Sequence, residues 1–61
     1  MLYKVSFEVG LPVAATEFIP EGIVWQTAFF YTLSDGRTEY VFKVLEADSK
    51  EEAIALAKEL R

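Results

Sequence analysis

Asp35-Gly36 lies between two runs, residues 23–33 and 38–45, that are rich in β-branched and aromatic side chains and contain neither Pro nor Gly. Such runs favour strands. Asp-Gly between them is a strong hairpin signal, because a type I′ turn needs positive φ at both central residues. A two-residue loop at Asp35-Gly36 sets Ser34 opposite Arg37. One face then carries the pairs Leu33 with Thr38, Tyr31 with Tyr40, Phe29 with Phe42, Thr27 with Val44 and Trp25 with Glu46. The other face carries Thr32 with Glu39, Phe30 with Val41, Ala28 with Lys43 and Gln26 with Leu45. A three-residue loop, with Ser34-Asp35 as a type I turn and Gly36 in a bulge, would slip one strand by a residue and spread the aromatics over both faces. The first register is preferred, since it gathers Trp25, Phe29, Tyr31, Tyr40 and Phe42 on one surface.

The rest of the chain supplies partners for this hairpin. Residues 2–9 alternate, with Tyr3, Val5, Phe7 and Val9 on one side and Lys4, Ser6 and Glu8 on the other, which predicts a half-buried strand. Gly10 and Pro12 are expected to end it. Residues 10–22 then form a long, partly apolar connection in which Phe18 and Ile19 plug an open edge of the core. The functional alternative for Phe18 and Ile19 is a loop that contacts a partner or ligand. A short extra strand near residues 16–19 is a further option. Ser49-Lys50-Glu51-Glu52 is a capping box. It opens a helix over 49–61 whose apolar stripe is Ala53, Leu56, Ala57 and Leu60. The small alanines should let this helix approach the ring-rich hairpin face.

The expected fold is therefore one α+β domain, residues 1–61: a three-stranded antiparallel sheet in β-β-β-α order with the C-terminal helix packed on one face, in two layers. Its parts are a strand at 2–9, a loop at 10–22, a hairpin at 23–46 turning at 34–37, and the helix.

A chain of 61 residues with no Cys and no His has neither disulfides nor the usual zinc ligands to reinforce it. Core burial alone supplies about 3–5 kcal/mol at this size. Yet 52% of the residues are hydrophobic, more than so small an interior can hold. One helix covers part of one sheet face, so Val24, Phe30, Val41 and Leu45 on the second face are expected to form a self-association interface, most simply a two-fold dimer.

The net charge of −4, with basic residues scattered among acids, disfavours nucleic acid. No membrane span or leader pattern is evident, and a cytoplasmic protein is expected. For catalysis, Ser34 and Ser49 already have structural roles as turn and cap. Glu8, Glu39 and Glu46 read as a solvated face. The isolated glycines form no phosphate loop, and the acids lack calcium-loop spacing. No cofactor, metal site or catalytic set is expected. The functional expectation is a small acidic protein-interaction module without enzymatic activity. The alternative is a small-ligand binder or enzyme with a pocket between subunits, lined by Tyr31, Tyr40 and Glu39 or by the 10–22 loop. Nucleic-acid binding through the sheet ranks last.

Overall fold

The computed structural model describes residues 1–22 and 26–60. Trp25, assigned above to the aromatic face, and Val24, assigned to the interface, lie outside the described residues, as do Ile23 and Arg61. Strands β1 (Leu2–Glu8), β2 (Leu11–Glu17), β3 (Ala28–Thr32) and β4 (Thr38–Glu46) make one antiparallel sheet in the order β2-β1-β4-β3. Helix α1 (Lys50–Lys58) packs on one face. The α+β class with its C-terminal helix is as expected, but the sheet has four strands where three were expected.

The additional strand is β2, inside the segment read as a loop. Val9 (φ 51) and Gly10 (φ 75) both take the left-handed backbone of a two-residue turn, which sets Glu8 opposite Leu11. Pro12 does not stop the chain, because β2 is an edge strand and an edge can spare an N–H. The strand absorbs it with a bulge at Val13: Ser6 faces Ala14, and Phe7 faces Pro12. Gly and Pro, read as terminators, are here the turn and the edge marker of a hairpin.

The second hairpin also departs from the preferred register. Leu33 N–H donates to the Arg37 carbonyl at 2.7 Å and Gly36 N–H to the Leu33 carbonyl at 3.0 Å, so the loop holds Ser34, Asp35 and Gly36. Gly36 sits at φ 88. The Asp35 carboxylate explains the longer loop, since it accepts from both the backbone N–H (3.0 Å) and Nε (2.7 Å) of Arg37. Phe30 accordingly faces Tyr40, Tyr31 faces Glu39 and Thr32 faces Thr38. A bulge at Val41 then restores the other register, so that Phe29 faces Phe42 and Ala28 faces Lys43. Each of the two readings of the turn holds on one side of that bulge.

The helix begins on Ser49, whose hydroxyl accepts from Glu52 N–H at 3.1 Å. The return bond from Glu52 to the Ser49 amide is not formed among the described residues. Ala53 and Ala57 face the sheet and are buried, with Ile54 packed beside them. Leu56, placed in the stripe above, is 39% exposed: it flanks the alanine row on the solvent side, and Ile54 flanks it on the sheet side.

The helix lies chiefly over β2, less over β1 and β4, and touches no described residue of β3. It thus covers Tyr3, Val5 and Ala15 rather than the Phe29 and Tyr31 surface expected above. The core is small, and among the described side chains only Val5 is both sizeable and fully buried. The result is a slab of 34 × 27 × 14 Å.

Candidate functional site

Side chains directly opposite on neighbouring strands share a face. On the face away from the helix, Ser6 and Phe29 both flank Phe42. The Phe29 and Phe42 rings stack at 6.3 Å between centroids, and Lys4 Nζ sits 4.4 Å from the Phe42 centroid. This row runs Lys4, Phe42, Phe29 from the middle of the sheet to the β3 edge. On the helix side a second row runs the same way: Phe7 to Tyr40 at 5.7 Å, then Tyr40 to Phe30 edge-on at 5.8 Å. Lys43 Nζ lies 5.7 Å from the Tyr40 centroid. Both rows end on β3, outside the reach of the helix.

Exposure follows. Phe29 is 49% exposed, Phe30 56%, Tyr31 48% and Val41 43%. The whole chain exposes 4491 Å². A folded monomer of this mass typically exposes about 4,000 Å². Val9, Leu11, Val13 and Ile19 expose apolar surface on the β2 side, and a second exposed apolar stretch lies around β3 and the Val41 bulge. Within it, Tyr31 Oη donates to Glu39 Oε2 at 2.8 Å. That hydrogen bond, followed by the repulsion the carboxylate would exert on a phenolate, raises the Tyr31 phenol above its ordinary value.

Of the three interface positions among the described residues, Phe30 and Val41 are exposed and Leu45 is not. Phe30 lies on the helix side of the sheet, and Val41 is the bulged residue next to Phe42. Leu45 faces Tyr3 and packs against the core, and Val24 lies outside the described residues. The three described positions are therefore not one patch. Phe18 is half-buried and continues β2 by donating its N–H to the Leu2 carbonyl at 2.9 Å, whereas Ile19 is 71% exposed. Ile19 plugs nothing, so the edge-plug reading does not extend to it. Phe29 and Tyr31, which the sequence reading buried under the helix, are the exposed residues it missed. Their exposure follows from the helix lying over β2 and β1, a placement set by the strand hidden in residues 11–17.

An open cleft of about 560 Å³ lies at the turn end of the sheet, where Gly10 and Leu11 meet Glu39, Tyr40 and Leu60. It joins within one chain the two segments named above as alternative pocket walls. Glu8 and Glu46 sit at opposite ends of the sheet, the first beside the β1–β2 turn and the second opposite Leu2. Among the described residues, no three acidic side chains cluster so as to hold a metal ion. Both Lys4 and Lys43 lie over rings rather than along a track beside them. No described helix is long and apolar enough to cross a membrane.

The chain matches no known protein family, no curated protein and no solved structure.

Proposed function

We propose that this chain is a self-associating protein-interaction module that works by docking and carries out no chemistry. The observation behind this reading is the half-exposed aromatic strand β3, with Phe29, Phe30 and Tyr31 in succession on a sheet whose single helix sits at the other end. Apolar side chains exposed on both faces of one edge strand are costly in water, and such surface usually serves as a contact. A core this small also leaves the monomer marginal, and association supplies the burial that one short helix does not. Sedimentation velocity at micromolar concentration should give twice the 6.9 kDa chain mass. A single 6.9 kDa species over that range would remove the basis of the proposal.

The cleft beside Glu39 and Tyr40 favours a second reading, a small-ligand binder. Its volume of about 560 Å³ suits a metabolite-sized molecule, with the Tyr40 ring and the Glu39 carboxylate as its orienting groups. A thermal-shift screen against metabolites separates the two, because a ligand of the native state raises the melting temperature by mass action.

A further inference from the structure

The two edges of the sheet are defended differently. On β2, Pro12 removes a donor, Val13 bulges, and the strand ends on Glu17, three devices that discourage pairing with another chain. The β3 strand, Ala-Phe-Phe-Tyr-Thr, has no proline, no glycine, no charge and no extra residue of its own, since the bulge opposite it belongs to β4. An edge of this composition, with no strand beyond it among the described residues, is a template for strand addition.

We infer that β3 pairs antiparallel with β3 of a second copy of this chain, about a two-fold axis at Phe30, so that one sheet runs through both subunits. This rests on the self-association proposed above and specifies its geometry. The register follows from the backbone. The Leu33 N–H and the Thr27 carbonyl point at β4, bonded to Arg37 and Val44 at 2.7 Å each. Alternation along the strand therefore turns the N–H and C=O groups of Ala28, Phe30 and Thr32 outward. Centred on Phe30, these three meet the partner's Thr32, the partner's Phe30 and the partner's Ala28, and the full length of β3 is used.

The aromatic rows and their charged ends fit a second copy as the occupant. Two copies at −4 each repel, so a two-fold contact needs a strip without acids at its axis, and β3 is such a strip. In this register the row on the bare face continues from Lys4 through Phe42 and Phe29 to the partner's Tyr31 and the partner's Glu39, with a cation at one end and a carboxylate at the other. On the helix side the row through Phe7, Tyr40 and Phe30 meets its own symmetry mate. Both aromatic rows, which among the described residues stop at the β3 edge, become continuous.

The test uses the full chain, which has no native cysteine. An Ala28→Cys, Thr32→Cys double variant cannot bridge within one strand, where the two Cα atoms stand roughly 13 Å apart. Across the proposed axis they stand at about 5.5 Å, within disulfide range. Mild oxidation should give a disulfide-linked dimer on a non-reducing gel far faster than a Thr16→Cys control on β2. Ala28→Pro, which removes an outward donor that β4 does not use, and Phe30→Lys should each weaken the dimer at least tenfold by sedimentation equilibrium, with the circular dichroism spectrum retained. A dimeric wild type whose double-cysteine variant links no faster than the control overturns the β3 pairing and leaves self-association standing. A dimer of unchanged affinity in Ala28→Pro does the same. A monomeric wild type overturns both. Should Ala28→Pro fail to fold, the cross-linking result decides.

Discussion

The two hairpins are built on the same plan and finished differently. In the first, β1 and β2 turn on Val9-Gly10, and the helix lies over them; Tyr3, Val5 and Ala15 are buried there. In the second, β3 and β4 turn on Ser34-Asp35-Gly36, and β3 has no helix contact among the described residues; every side chain from Phe29 to Thr32 is exposed. The apolar character of the two halves does not explain this, since β3 is the greasier strand. The side-chain sizes do. Ala15, Ala53 and Ala57 let the helix backbone come close to the sheet over β2 and β1, and a helix of nine residues that close has no reach left for the other edge. The half with small residues becomes the core, and the half with large ones is left to be covered from outside.

The largest expected effect tests that division of labour. Val5 is fully buried, and Val5→Ala removes two methyl groups without room for collapse. The loss should be about 2–3 kcal/mol, most of the stability of so small a domain, read by urea denaturation followed by circular dichroism. Phe29→Ala deletes a larger side chain from the uncovered half. At concentrations where the chain is monomeric it should cost only about 1 kcal/mol, chiefly the stacking on Phe42. Equal losses for the two variants would mean that the halves are not energetically distinct.

A second pair of substitutions compares the turns. Gly36 (φ 88) is suited to its left-handed backbone, while Val9 (φ 51) is a β-branched residue in the same region and 88% exposed. Gly36→Ala should therefore destabilise by about 1–2 kcal/mol although its Cβ would meet nothing. Val9→Asn should stabilise by about 1 kcal/mol, because Asn tolerates this backbone. Opposite signs in thermal denaturation are the expected outcome. A neutral Val9→Asn would show that the first turn carries no strain worth relieving.

The same contrast explains what could be read from the residues alone. The alternation of 2–9, the Ser49 cap and the alanine spacing are local patterns, and they led to β1, the helix and the α+β class. Strand β2 was hidden because Gly10 and Pro12 act locally as breakers, and only the place of β2 at a sheet edge makes them harmless. The site was less legible than the fold. Which face holds Tyr40 depends on two bulges, at Gly36 and Val41, and each shifts the register by one residue. Asp35 and Arg37 point to the first. The bulge at Val41 has no mark in the sequence, since it reconciles the turn with pairings further along the sheet.

The smallest effect concerns the polar contact on the uncovered half. The Tyr31 hydroxyl, on a half-exposed side chain, donates to Glu39, and losing its proton would break that bond and set a phenolate beside a carboxylate. The folded state therefore holds this proton more tightly than the unfolded chain, whose tyrosine titrates near 10.0. The contribution to stability is complete below pH 10 and is lost as the pH rises from there through the raised value. In the ultraviolet titration of tyrosinate, Tyr31→Phe should delete a component that titrates above pH 10, and Glu39→Gln should move that component down. If Glu39→Gln leaves the titration unchanged, the two side chains are not bonded in solution. The clasp that orients Tyr31 on the bare face would then have to be supplied by whatever docks there.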